Sequence, residues 1–204
     1  MTIRLHRGDL PDLGRYTDSV AIDTETMGLN PHRDRLCVVQ LSPGDGTADV
    51  VQIPQGAADA PNLKKLLSDP KVTKIFHFAR FDLAALYNAL GVMPQPVYCT
   101  KIASRLTRTY TDRHGLKDLA RELLGVDLSK QQQSSDWGAD TLSEAQLAYA
   151  ASDVLHLHAL RTRLDAMLAR ESRTDMAKAC FDFLPFRARL DLGGWEDEDI
   201  FAHS

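Results

Sequence analysis

The stretch Val20-Ala21-Ile22-Asp23-Thr24-Glu25 joins an apolar run to two acidic residues. The apolar run predicts a short buried strand that ends at Asp23. Because side chains alternate along a strand, Asp23 and Glu25 are expected on the same face of the sheet. Two carboxylates on one face repel each other unless a cation lies between them, and Mg²⁺ prefers oxygen ligands of this kind. An Asp-x-Glu triplet also arises by chance, so a metal site at this strand end requires further acidic residues elsewhere.

The flanking sequence predicts a meander of three strands, followed by strands that alternate with helices. The predicted strands are residues 20–22, 36–41, 49–53, 72–76 and 97–99. The predicted helices are residues 61–68, 81–90, 101–106, 116–124 and a long segment from about 143 to 168. Pro43-Gly44-Asp45-Gly46 is typical of a hairpin connection between the second and third strands. This order predicts an α/β fold with a mixed sheet and helices packed on it.

The long helical segment carries a second candidate pair, Tyr149 and Asp153. Their spacing of four residues places both side chains on one helix face, beside the apolar stripe. One interpretation is a polar face in contact with solvent. The other is catalytic: the carboxylate binds a metal and the phenol hydroxyl orients a water molecule. The small residues Ala150-Ala151-Ser152 favour the second interpretation, because they let a helix approach its neighbours closely.

Asp82 is a third candidate, just beyond the fourth predicted strand. By itself it is typical of the acidic residues that the helix dipole favours at a helix N-terminus. It becomes a candidate metal ligand only in combination with the other acidic residues.

The composition indicates a globular chain of one domain. It has 204 residues, 44% of them hydrophobic, and a formal net charge of −4. This charge argues against a protein that binds long duplex nucleic acid, but not against an enzyme for short substrates. The sequence has no apolar run of membrane-spanning length, no secretory signal, and three scattered cysteines. These features predict a cytoplasmic protein with no membrane contact.

Four motif blocks in order carry a family resemblance. Asp23-x-Glu25, then Asp82 within His77-x-Ala-Arg-Phe-Asp82, then Tyr149-x₃-Asp153 resemble the DEDD exonucleases of the tyrosine-bearing subgroup. Residues 135–137 (Ser-Asp-Trp) and 146–154 are similar to ribonuclease D. The resemblance covers residues 18–165. Residues 23–29, Asp-Thr-Glu-Thr-Met-Gly-Leu, and the short length resemble the single-domain nanoRNase branch of this family.

The resemblance implies a ribonuclease H-like fold, with helices on both faces of a mixed sheet. It implies two divalent cations, Mg²⁺ or Mn²⁺, one of them held by Asp23, Glu25 and Asp153. Asp23 would bridge to the second cation, which Asp82 supports, and Tyr149 would orient the attacking water. The implied reaction is hydrolysis at the 3′ end of short RNA oligonucleotides, with dinucleotides preferred, to give 5′-mononucleotides.

The resemblance also assigns substrate-binding residues. Leu29 would wedge between two bases, and the alternative interpretation is a loop leucine that covers the core. His77 would contact a base, sugar or phosphate, and the alternative is a buried histidine at a strand end. Thr24 and Met27, in the same motif as Leu29, are the other predicted substrate contacts.

Two other functions stay open: a broader 3′–5′ exonuclease for longer RNA or single-stranded DNA, and an inactive nucleic-acid-binding scaffold. The resemblance implies a homo-oligomer, with an octameric ring as its form. Residues 1–204 are expected to form one exonuclease domain, with residues from about 171 onward as a helical or tail extension. This extension would cap the core or dock on a neighbouring subunit.

Several polar and aromatic residues are given structural interpretations. Trp137 is expected to be a packing anchor, and Gln131-Gln132-Gln133 a loop. Lys101, Arg105 and Arg108 fall at helical spacing, where they would meet a phosphate or, as we expect, form a solvated face. A contact between Lys130 and a 5′ phosphate is left open.

Overall fold

The computed structural model describes residues 2–56 and 59–203 and shows one six-stranded sheet surrounded by helices. The strands are β1 (Thr2–Arg7), β2 (Ser19–Thr26), β3 (Leu36–Ser42), β4 (Thr47–Gln52), β5 (Thr73–Phe76) and β6 (Val97–Cys99). The helices are α1 (Pro61–Ser68), α2 (Ala79–Leu90), α3 (Thr100–Thr107), α4 (Leu116–Leu124), α5 (Glu144–Leu155), α6 (Leu157–Arg170) and α7 (Thr174–Leu190), followed by a π-helical turn (Asp191–Trp195).

The strand order is β1-β4-β3-β2-β5-β6, which places β2 in the interior of the sheet. β2, β3 and β4 form the predicted antiparallel meander. The other three strands run parallel to their neighbours: β1 to β4, β5 to β2 and β6 to β5. The predicted mixed sheet is confirmed. β1 was not predicted; it is a short edge strand in which no residue is buried.

Apolar side chains pack on both faces of the sheet, as predicted. The larger cluster joins the strands to α1, α2, α6 and α7. The smaller cluster lies under α5 and consists of Cys37, Val38, Val50, Trp137, Leu142 and Ala150. Trp137 is 3% exposed, which confirms that it is a packing anchor.

The long helix was predicted as one element, but the structure divides it at His156 into α5 and α6. His156 has φ −106° and ψ −5°, so the backbone departs only slightly from helical values. The apolar spacing of three and four residues therefore continues through the break, and the sequence pattern does not reveal it. The predicted start is correct, because Ser143 and Gln146 form a reciprocal capping box.

Lys101 and Arg105 of α3 and Arg108, which follows the helix, do not form a single solvated face, and this prediction is wrong for Arg108. Arg108 is fully buried and its guanidinium is paired with Glu122. Lys101 is half-buried and Arg105 is exposed. Helical spacing would place all three side chains on one side of the helix. Only Arg108 is covered by the loop after α3, where it donates a hydrogen bond to the Arg113 carbonyl.

The C-terminal segment continues the core. Phe181 of α7 is buried and its ring packs on Tyr98 of β6, with 4.7 Å between ring centroids. α7 also packs against α2, the helix that carries Asp82. Among the described residues, no helix is both long and apolar enough to cross a membrane.

Candidate active site

The site is built on β2, at the centre of the sheet. Asp23 and Glu25 lie on one face of this strand, separated by Thr24, as the alternation predicts. Gln40 stands opposite Asp23 on β3, and its amide nitrogen donates a 2.7 Å hydrogen bond to Asp23 Oδ2. Gln40 is fully buried, so it fixes the orientation of the Asp23 carboxylate from inside the sheet.

α5 brings the third carboxylate to the same face. Carboxylate oxygens of Asp23, Glu25 and Asp153 lie within 4.8 Å of one another. Ala150 and Ala151 of α5 are fully buried, and their small side chains allow this close approach of helix and sheet. The three acids come from two elements that are more than 100 residues apart in sequence, and the fold alone brings them together.

Tyr149 accompanies Asp153 on this helix face. Its hydroxyl lies close enough to Asp153 to feel the charge of that carboxylate, and its ring lies 6.0 Å from the buried Trp137 ring, centroid to centroid. Partial burial, followed by the charge of Asp153, raises the pKa of the Tyr149 phenol, so it is protonated at neutral pH. Tyr149 is thus a positioned hydroxyl beside three carboxylates.

Asp82 approaches from the other side of β2. It lies in the first turn of α2, is 3% exposed, and accepts a 2.6 Å hydrogen bond from Thr24 Oγ1. It lies outside the group of three carboxylates, and burial, followed by the negative charge of Asp23, raises its pKa. Thr24 therefore links Asp82 to β2 through its hydroxyl, and substrate binding by Thr24 stays a prediction.

The four acids are held in an environment that disfavours their charged forms. Burial raises the pKa of Asp23 to about 7, of Glu25 to about 9 and of Asp153 to about 8. Repulsion from Asp23 adds to the effect of burial on Glu25 and Asp153. Burial, followed by repulsion from Asp23, also raises the pKa of Asp82 well above its ordinary value. A bound cation would remove this repulsion, and the oxygen-only donor set fits a hard divalent ion such as Mg²⁺ or Mn²⁺.

The loop that follows β2 projects two apolar side chains outward. Leu29 is 84% exposed and Met27 is 53% exposed. Gly28 is required between them, because a Cβ at this position would lie 2.4 Å from the Asp34 carboxylate. Leu29 lines a cavity of about 460 Å³ together with Phe78 and Arg80; we call this the Leu29 cavity. Leu29 does not cover the core, so this interpretation of the residue is excluded, while contact with bases stays a prediction.

His77 lies where β5 leads into α2, and it is partly buried. Its Nδ1 is 2.9 Å from Thr100 Oγ1 at the start of α3. Burial, followed by the positive charge of Lys101, lowers the pKa of His77 to about 3, so the ring is neutral. A neutral imidazole offers a hydrogen bond but no charge to a substrate.

The sequence did not reveal two residues of this region. Gln40 interrupts the apolar run of β3, and this polar interruption is the signal that would have identified it. Phe78 is 45% exposed and has a left-handed backbone with φ 68°, although it is neither glycine nor asparagine. Such a conformation costs about 1–2 kcal/mol and clusters at functional sites. No sequence pattern announces it.

Comparison with known proteins places this geometry in a family. A family model described as 3′–5′ exonuclease matches residues 11–169. The chain belongs to this 3′–5′ exonuclease family. The chain is 39% identical over 156 residues to ribonuclease D of Gluconacetobacter diazotrophicus, an alignment that covers 76% of this chain and 39% of that protein. It therefore spans about two fifths of the length of the curated ribonuclease D relatives that it matches.

Solved structures resemble this exonuclease over its whole length. Brucella melitensis NrnC with bound Mg²⁺ is 67% identical, with a TM-score of 0.97 and coverage of 100% of both chains. The same protein bound to pGG is 68% identical, with a TM-score of 0.98 and the same coverage. The predicted resemblance to ribonuclease D-like exonucleases, the ribonuclease H-like α/β fold and the enzyme class are confirmed. The roles of individual site residues stay predictions.

Proposed function

We propose that this exonuclease hydrolyses short RNA oligonucleotides, preferentially dinucleotides, from the 3′ end to 5′-mononucleotides, using two divalent cations. The observation that carries this proposal is the convergence of Asp23, Glu25 and Asp153 oxygens within 4.8 Å, beside the Tyr149 hydroxyl. Asp82 on the opposite side of β2 supplies the fourth carboxylate.

The carboxylates would divide between two cations. Asp23, Glu25 and Asp153 would hold one cation, and Asp23 and Asp82 would hold the second. Two such cations polarise the phosphate and stabilise the attacking and leaving oxygens. The Mg²⁺ bound to Brucella melitensis NrnC supports Mg²⁺ as the metal, and Mn²⁺ suits the same oxygen ligands.

Tyr149 and Gln40 would act on orientation. The Tyr149 phenol is protonated and lies beside Asp153, so its hydroxyl would position the attacking water for displacement in line with the leaving oxygen. Gln40 fixes Asp23, the carboxylate shared by both cations, through its 2.7 Å hydrogen bond.

The preference for short RNA rests on the surroundings of Leu29. An 84% exposed leucine at the rim of a 460 Å³ cavity would pack against a base, while Met27 and His77 would make further contacts. The bound pGG in Brucella melitensis NrnC supports a dinucleotide substrate. The net charge of −4 also favours substrates that make few phosphate contacts.

We further propose that the chain acts as a single exonuclease domain in the cytoplasm and forms a homo-oligomer, with an octameric ring as the form implied by the resemblance. Exposed apolar residues of the C-terminal region support a subunit contact there: Met176, Phe186, Trp195, Ile200 and Phe201. Within this set, Phe201 is 76% exposed.

The test compares end-labelled RNAs of two to seven nucleotides in initial-rate assays with Mg²⁺, Mn²⁺ or EDTA. We expect the highest kcat/KM for the dinucleotide and no cleavage in EDTA. Asp153→Asn should abolish cleavage while the folded structure, followed by circular dichroism, is kept. Equal rates at all lengths would favour the broader exonuclease, and a folded protein without turnover on any length would favour the scaffold.

A further inference from the structure

A second cavity lies next to the active site, on the other side of Phe78 from the Leu29 cavity. It has a volume of about 400 Å³ and is lined by residues of α2, α3 and α7. Its main lining side chains are four cations and two aromatic rings: Arg80, Lys101, Arg105, Arg187, Phe78 and Phe183. We call it the basic cavity. Phe78 and Arg80 also line the Leu29 cavity, so the two cavities are adjacent.

The charge of the basic cavity contrasts with that of the chain. Its lining contains four positive side chains and no acidic one. Asp191 lines the adjacent Leu29 cavity and pairs with both Arg80 and Arg187, at 2.6 Å and 2.9 Å. The lining itself thus contains four cations in a protein whose overall net charge is −4. Such a concentration of one sign attracts an anion.

Two of these cations lack a carboxylate partner. Within the described residues, Lys101 and Arg105 take part in no ion pair, whereas Arg80 and Arg187 share Asp191. Burial, followed by repulsion from Arg105, lowers the pKa of Lys101. The Lys101 ammonium lies 4.2 Å from the centre of the Phe78 ring, a contact that holds it at the cavity wall. An anion between Lys101 and Arg105 would relieve their repulsion.

Another part of the lining, the ring of Phe183, suits a flat, apolar group. Phe183 is half-buried, and its ring is fixed by two others, with centroids 6.3 Å from Phe186 and 5.7 Å from Phe201. A held aromatic ring is a stacking surface for a nucleobase. Cations that bind phosphate, next to such a ring, are the combination that recognises a nucleotide.

We propose that the basic cavity binds a nucleotide, whose phosphate is held by Lys101 and Arg105 and whose base packs on Phe183. This inference extends the proposed function, because a 3′–5′ exonuclease offers nucleotides from two sources. One source is a free 5′-mononucleotide, the product. The other is a further nucleotide of a longer RNA, beyond the two at the active site.

The binding test uses guanosine 5′-monophosphate as the probe, in isothermal titration calorimetry with EDTA present. EDTA removes metal-mediated nucleotide binding at the carboxylates, so the difference in affinity between the wild type and each variant reports on the basic cavity. Lys101→Glu combined with Arg105→Glu should weaken binding at least tenfold, and Phe183→Leu about fivefold. The matched control is Lys65→Glu with Arg163→Glu, two exposed cations on α1 and α6 that form no ion pair within the described residues. We expect the control to bind as the wild type does.

Three results would overturn the proposal. The first is an equal loss of affinity in the Lys101/Arg105 variant and in the Lys65/Arg163 control. The second is an unchanged affinity in the Lys101/Arg105 variant, and the third is guanosine that binds as tightly as guanosine 5′-monophosphate. If the double reversal prevents folding, Lys101→Met with Arg105→Gln provides the same comparison with smaller changes.

Kinetics with the same variants distinguish the two sources. If the nucleotide belongs to a longer chain, the KM of a seven-nucleotide RNA rises more than that of a dinucleotide. If it is free product, inhibition by guanosine 5′-monophosphate is lost while the seven-nucleotide KM matches the control. Metal-dependent hydrolysis of the dinucleotide by the wild type is scored separately. Its absence would contradict the proposed function without deciding whether the cavity binds nucleotide.

Discussion

The residues of the site differ in how far their chemistry depends on the fold. Asp23 and Glu25 follow from strand alternation alone, and Tyr149 and Asp153 from helical spacing. That β2 and α5 meet is a property of the fold, which spacing does not reveal. The role of Gln40 could be identified only from the register of β3 against β2, which places this residue opposite Asp23. The left-handed backbone of Phe78 could not be predicted, because neither composition nor spacing indicates it.

Tyr149 gives the sharpest prediction at this scale. Tyr149→Phe removes the hydroxyl that would orient the water but keeps the ring that packs on Trp137. We therefore expect kcat to fall by about 100-fold, within the usual range for a positioned acid–base group. The Mg²⁺ concentration for half-maximal activity should change little. Steady-state rates across a Mg²⁺ titration give both quantities.

The matched control is Tyr110→Phe. Tyr110 is 67% exposed and hydrogen-bonds to Glu122, away from the carboxylates of the site. This variant should retain the wild-type kcat. A Tyr149→Phe enzyme with the same kcat as the control would remove Tyr149 from the mechanism.

At the scale of elements, the sequence located segments better than their boundaries. The meander and its hairpin are found where predicted, because turn residues and β-branched runs are strong local signals. The break at His156 was missed, since the backbone there stays near helical values. The start of α2 at Ala79, two residues earlier than predicted, follows from the left-handed Phe78 that precedes it.

The hairpin between β3 and β4 allows a matched test of one packing contact. Gly44 and Gly46 both have positive φ values, +88° and +82°. A Cβ at Gly44 would lie 2.9 Å from the His158 ring of α6, whereas a Cβ at Gly46 would meet nothing within 4 Å. Each substitution by alanine should cost about 1–2 kcal/mol for the left-handed backbone.

Gly44→Ala should cost about 1 kcal/mol more than Gly46→Ala, because His158 must move. Urea denaturation at neutral pH measures both free energies of unfolding. Equal losses would mean that the hairpin and α6 are not packed as the structure shows.

At the scale of the whole molecule, the net charge of the sequence does not indicate where charges are concentrated. The net charge of −4 describes the chain, yet the lining of the basic cavity contains four cations and no acidic side chain. Residues of α2, α3 and α7 meet at this cavity, although α7 lies more than 60 residues after α3 in the sequence. The repulsion among Asp23, Glu25 and Asp153 is likewise absent from the sequence, because it arises only when the fold brings these residues together.

This stored repulsion predicts how stability depends on pH and metal. Burial and mutual repulsion raise the pKa of Glu25 to about 9 and of Asp153 to about 8, above their ordinary values of 4.5 and 3.8. At a pH between the ordinary and the raised pKa values, these two carboxyl groups hold a proton in the folded, metal-free chain and lose it in the unfolded chain. The contribution of these groups to stability is therefore full below about pH 4 and is lost as the pH rises towards 9.

A bound divalent cation replaces those protons, so its effect should increase with pH. We expect Mg²⁺ to raise the melting temperature, relative to EDTA, by more at about pH 8 than at about pH 5.5. Glu25→Gln removes one ligand and one repelling charge, so it should flatten the pH dependence in EDTA and reduce the Mg²⁺ shift. Thermal denaturation followed by circular dichroism measures all four conditions. A Mg²⁺ shift that is independent of pH, or is retained in full by Glu25→Gln, would place the ion elsewhere on the molecule.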